Sequence, residues 1–368
     1  MKSIITFLLL FSVVHIGSSQ TKIKSIKLEN KSDFSLKNGV VEVPFSLLGA
    51  IDTSRLVVLH KTTKKQIPYQ FDHDGEMKLL LLVSIPAQKS ITVSLSKGQK
   101  EKFRNLTFGR YVPERLEDFA WENDKIAFRM YGKALEGTKG DAYGIDVWVK
   151  RTDSLIIDKR YGHGDYHNDR GDGLDYYHVG KTLGAGNVAP MVNDKIYYSG
   201  NYTNYEVLAN GPLRTRFRLK YNEWDVNGKK TNVVKEITLD AGSQYNKIKA
   251  TYSFVGDTLP LAIGVIKREG KSSYFVDEIN GQFTFWEPEF KKDGITGVGI
   301  VLPKGFHKFS EDKDQYLIHT TTKEEQSITY YQGAAWNKAK EITNAIDWIN
   351  YTNRYASLLS NGIKVTTF

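Results

Sequence analysis

The chain has 368 residues, a formal net charge of +9 and no cysteine. Disulfide stapling is therefore excluded, and stability has to come from a large apolar core, for which the length suffices. The basic balance suits acidic partners or a merely solvated surface, and no concentrated Lys/Arg block argues for nucleic acid.

Residues 1–3 carry one positive charge, residues 4–14 are an almost unbroken apolar run, and Gly17, Ser18 and Ser19 come next. This order predicts a signal peptide, 1–19, cleaved near Ser19. The run is shorter than the ~20 residues of a spanning helix, so no stable membrane insertion is expected. The expectation is an exported protein, periplasmic or secreted.

Residues 20–103 read as a compact module of short strands at 40–45, 55–59, 66–71, 79–83 and 90–95, with a tight turn over Asp72–Gly75. The polar run 98–102 joins this module to a second, larger region. From 104 onward the alternation is clearer. Ile126, Phe128 and Met130 share one face of a strand and Arg129 and Tyr131 the other. Ile145, Val147 and Val149 point inward in the next. Arg214, Arg216, Arg218 and Lys220 oppose Thr215, Phe217, Leu219 and Tyr221. Seven more strands lie between 232 and 332. Asn344 with Asp347 three residues on predicts a capped helix, Gly362 ends it, and 363–368 reads as a last strand. The fold class is all-β: a large two-sheet β-sandwich over 104–368, a small N-terminal β module and a short C-terminal helix.

Chemistry concentrates between Arg160 and Gly186, where His163, His167 and His178 fall together with Asp165, Asp169, Asp172 and Asp175 among many glycines. Three readings fit. On a strand, His163, Asp165, His167 and Asp169 would share a face and ligate a divalent metal, although Gly162 and Gly164 argue against a regular strand. A histidine would serve as general base or acid. Or the segment is a solvated, hydrogen-bonded loop. Around it, Trp121, Asn123 and Trp336 are candidates for sugar contacts, and Arg129 and Arg216 for gripping a carboxylate bidentately. Each of these also reads as an ordinary strand or turn residue.

Two stretches carry a resemblance: Phe119–Gly132, and Tyr166–Gly186 with His167, Asp169, Gly171, Gly173, Asp175, Tyr177, Val179 and Gly184 at fixed spacing. They resemble the domain of unknown function 4861 family over nearly all of the chain after the signal segment, and in particular its ulvan oligosaccharide dehydratase branch. The resemblance implies a sandwich like that of galactose mutarotase. It also implies removal of water from a non-reducing-end glucuronate or iduronate linked to sulfated rhamnose, leaving a 4,5-unsaturated uronate. Such an elimination needs a cation on the carboxylate, a base for the C5 proton and an acid for the departing O4. The candidates are His167 as base or acid, Tyr177 or His178 as its counterpart, Asp169 or Asp175 to orient the histidine, and Arg129 or Arg216 on the carboxylate. Trp121, Asn123, Asp175 and Trp336 would complete the substrate contacts. The alternatives are a polysaccharide lyase, which would expel a sugar instead of water, and a non-catalytic acidic-carbohydrate-binding protein. The sequence is compatible with a homodimer and holds no feature that argues for one.

Overall fold

The computed structural model describes residues 24–49 and 51–368, so the expected signal peptide lies outside the described residues. Among them, no helix is long and apolar enough to cross a membrane.

The N-terminal strands alternate as read and close on their apolar faces. Ile363–Thr367, Lys24–Asn30, Ser90–Lys97 and Leu56–His60 form one antiparallel sheet in that order, and Leu36–Pro44, Glu76–Ile85 and Tyr69–Asp74 form another. Between them sit Ile26, Leu28, Val43, Leu79, Leu81 and Val93, all buried. The tight turn falls at Gly75, whose φ of +73° no β-branched residue would tolerate. The last strand, expected inside the large domain, pairs instead with the first, Ile26 opposite Thr367. The module is thus built from both ends of the described chain.

The large sandwich packs a nine-stranded antiparallel sheet against two five-stranded ones. One five-stranded sheet runs in the order Gly173–Asp175, Asp146–Lys150, Ala127–Met130, Asp118–Asn123, Thr107–Val112. Its inward residues Phe119, Trp121, Phe128, Val147 and Val149 join Phe217, Ile237, Ile248 and Tyr330 of the nine-stranded sheet in one core. The C-terminal helix, Ala345–Asn361, is capped by the Asn344 side chain, which accepts from the Asp347 amide at 3.0 Å, and ends at Gly362. It lies on the nine-stranded sheet, where buried Trp348 donates to the Val298 carbonyl.

An ion network fastens module to sandwich. Asp72 accepts from Arg214 at 3.0 Å and from Arg216 at 2.9 Å, while Arg214 also holds Asp240 and Glu42 and Arg216 holds Glu236. Arg216 is buried, with Nη1 held by Glu236 and Nη2 by Asp72 and the His73 carbonyl, so it ties the two domains together. Of the arginine face, only Arg218 remains half-exposed.

Candidate active site

The alternation at Arg129 and Tyr131 fixes which face each residue takes, and the register shows what that face contains. Arg129 lies opposite Asp146 and Ala120, and Trp148 lies opposite Asp175. Asp118, Glu122, Arg129, Asp146, Lys150 and Asp175 therefore share the face turned away from the core. All are nevertheless buried. The cover is a short helix, α1, Ile157–His163, and the loop after it.

Lys150 and Glu122 are fully buried together, 2.5 Å apart, and Glu122 Oε1 accepts from the Ile156 and Ile157 amides at 2.7 Å each. A carboxylate from a distant strand thus caps the start of α1, where amides lack intrahelical partners. The helix ends at Gly164, whose φ is +66°. Arg160 then ties the loop down through Asp172 and the carbonyls of Asn168 and Gly173. The strand expected to align His163, Asp165, His167 and Asp169 does not exist. His163 closes α1, Asp165 pairs with Arg170, and among the described residues no three His, Asp or Glu side chains converge on a metal position. Asp169 braces the loop, accepting from Gly171 and Gly173 and pairing with Arg151, and does not meet a histidine.

Beneath the loop, Arg129 lies among three carboxylates: Asp146 Oδ2 at 2.6 Å, Asp175 Oδ2 at 2.9 Å and Asp118 Oδ2 at 3.7 Å. Tyr131, Trp148 and Tyr166 surround its guanidinium, with ring centroids at 5.2, 5.2 and 5.6 Å. Three acids against one cation cannot all ionise in so dry a place. Burial, only partly offset by Arg129, pushes Asp146 up to about 8 and Asp118 up to about 6. Arg129 is a buried structural centre: its Nη2 is spent on Asp146 and Asp175, while Nε and Nη1 have no hydrogen-bond partner.

At the rim the picture changes. The His167 side chain is 62% exposed, and its Nδ1 lies 2.9 Å from the Asp175 carbonyl and 3.8 Å from Asp175 Oδ2. A carbonyl only accepts, so Nδ1 carries the proton and Nε2 faces out as the basic nitrogen. Asp175, not Asp169, orients the histidine. Desolvation first and then the charge of Arg268 lower the pKa of His178, which favours the neutral ring. Its ring meets Phe290 edge-on at 5.9 Å. Arg268 donates to the His178 carbonyl at 2.6 Å and lies over the Tyr177 ring at 4.7 Å, 3.5 Å from Glu287. Tyr177 is buried, and its hydroxyl lacks a hydrogen-bond partner, as does Glu287 Oε1. Burial raises both, the phenol well above its usual range and Glu287 to about 7.

Of the residues singled out in sequence, the structure joins His167 to Asp175, leaves His178 exposed on the same segment and buries Tyr177 in the core. Arg129 lies beneath them, bonded to Asp175 at 2.9 Å, and the others lie apart. Trp121 is fully buried and donates to Asn246. Asn123 is buried and spends its amide on the Asp240 and Ser243 carbonyls. Trp336 is buried, donates to the Asp293 carbonyl and lies under Arg151. None offers a ring or amide to a sugar. Sequence reasoning missed Asp118, Asp146, Arg268 and Glu287. Asp146 and Glu287 do leave a trace, as lone acids beside apolar strand residues in Ile145-Asp146-Val147 and Phe285-Trp286-Glu287.

The chain is 31% identical over 362 residues to "Uncharacterized protein P7" of Formosa agariphila, covering 92% of this chain and 88% of that one. Among solved structures it resembles a glycosyl hydrolase family 38 protein of Enterococcus faecalis (TM-score 0.52) and an alpha-mannosidase of E. faecalis V583 (TM-score 0.51), both at 10% identity over 95% of this chain. The chain spans about half of those structures, 48% and 46% of their lengths, and the likeness is one of fold. The profile described as "Domain of unknown function (DUF4861)" matches residues 28–365, and the chain belongs to that family.

Proposed function

We propose that the protein is a carbon–oxygen lyase that eliminates water from the non-reducing-end uronate of an acidic oligosaccharide. Ulvan fragments ending in glucuronate or iduronate are the substrate class suggested by the sequence resemblance. The observation that carries the proposal is His167, held by Asp175 with its ring largely exposed, on the segment whose His178 carbonyl also holds Arg268. A link to carbohydrate is supported by the sugar-cleaving enzymes that share the fold.

In this chemistry Arg268, with Lys291 nearby, takes the uronate carboxylate and stabilises the charge that develops when C5 loses its proton. His167 Nε2 takes that proton, and Asp175 stabilises the imidazolium formed. The C4–O4 bond breaks as His167 returns the proton to O4, so that water leaves and no net proton is consumed. His178 orients the sugar as a neutral hydrogen-bonding partner. No metal enters this scheme. Export belongs to the same proposal: protein recovered outside the cytoplasm should begin near residue 20, which the mass of its N-terminal peptide checks.

The test is incubation with oligosaccharides ending in a saturated uronate, following product mass together with the ultraviolet absorbance of an unsaturated uronate. Loss of one water from an intact oligosaccharide supports elimination of water. Two fragments, one of them unsaturated, would instead make the protein a chain-cleaving lyase.

A further inference from the structure

The segment that carries His178 also touches the residues that wall a separate cleft. The Gly180 carbonyl accepts from the Tyr143 amide at 3.2 Å, and Lys181 lies 3.6 Å from Asp141. Tyr143 and Asp141 line a cleft of about 460 Å³ that contains none of the rim residues His167, His178 and Arg268. Its other walls include Tyr197, Tyr198 and Trp224. All four aromatic residues are half-buried, with part of each left to solvent. Trp224 stands apart from the other five tryptophans, Trp121, Trp148, Trp286, Trp336 and Trp348, which are all buried.

The charges here are matched: Glu136 pairs with Lys133, Asp141 lies 3.6 Å from Lys181, and Asp225 and Lys195 complete the lining, with Lys195 over the Tyr197 ring at 4.9 Å. The Asp141 side chain is only 8% exposed, and its Oδ1 has no hydrogen-bond partner. A buried acceptor left unpaired is costly, and a ligand hydroxyl would satisfy it. Half-buried aromatic faces with polar tips suit the C–H faces of a pyranose. With its acids matched by ammonium groups, the cleft has no excess positive charge to draw an anionic sugar, which suits a neutral one.

We infer that this cleft is a second carbohydrate-binding site, distinct from the rim and taking a neutral, hydroxyl-rich sugar unit. Its occupation should change the emission of Trp224, the one tryptophan exposed to the ligand. The experiment is a titration of the full-length mature protein with neutral trisaccharides of glucose, mannose, xylose and rhamnose, and with trigalacturonate and a glucosamine trimer. Tryptophan emission and calorimetry are read together. At least one neutral trisaccharide is expected to bind and shift the emission. Trp224→Ala should weaken that binding about tenfold or more, while Trp224→Phe, which keeps a stacking face, should retain it by calorimetry. Absence of binding by every neutral trisaccharide would overturn the inference. So would equal or tighter binding of either charged trimer, or unchanged affinity in Trp224→Ala. The readout needs no turnover, so its outcome stands apart from the elimination chemistry.

Discussion

At the scale of single residues, two arginines that look alike in an alternating strand behave differently from Arg268. Arg129 and Arg216 are each surrounded by carboxylates, whereas Arg268 keeps part of its guanidinium at the rim. Arg268→Met should therefore raise KM about tenfold or more, the worth of a hydrogen bond to a charged group, and lower kcat as well, because the same group meets the charge that develops on losing the C5 proton. An unchanged KM would remove Arg268 from the substrate. The acid cluster carries a pH signature. A carboxyl whose pKa is raised on folding keeps its proton longer in the native state, so stability is lost as pH rises from the unfolded value towards the folded one. For Asp146 that window runs from about 4 to about 8. Between pH 5.5 and 7.5, Asp146→Asn should lose less thermal stability than the parent, as read by melting temperature at matched ionic strength. Parallel curves would contradict the protonated state assigned to Asp146.

At the scale of elements, the strands and the final helix were legible because their signals are local: alternation, a glycine turn at Gly75, and an Asn344 cap. Helix α1 was not. It has seven residues, contains Gly162, and its start is capped by Glu122 from a strand 34 residues earlier in the chain. Alternation likewise tells which side of a strand Arg129 takes but not that a helix and loop will cover that side. The buried Glu122–Lys150 pair is what joins strand to cover. Glu122→Ala would strand the Lys150 charge and leave α1 uncapped, and should cost about 3–5 kcal/mol in denaturant unfolding. A cost near zero would show that the cover is held by something else. The histidine pair was legible as composition, and its geometry was not, since the glycine-rich loop takes its shape from Arg160 and Asp172.

For the whole molecule, the sandwich and the small module were both visible in the spacing of strands, but their joint was not. The return of Ile363–Thr367 to the first sheet is a long-range pairing without a sequence signature. The Asp72–Arg214–Arg216 network is another, since an arginine face reads equally as a binding surface, a solvated edge or a domain contact. Asp72→Ala should leave each domain intact and weaken their union, lowering global stability by about 3 kcal/mol or more and exposing the 98–106 connection to protease. Unchanged stability and unchanged cleavage would mean that the apolar contacts of Leu80, Leu213 and Ala241 suffice. Fold likeness to sugar-cleaving enzymes does not by itself specify a reaction. The assignment rests on the rim.

The most direct test of that assignment is product mass from a uronate-terminated oligosaccharide, compared between the parent protein and a folded His167→Gln variant. The expected result is a product lighter by one water from the parent and a rate about 10²–10⁴-fold lower from the variant. Equal turnover by the two proteins would show that the chemistry takes place elsewhere on the molecule.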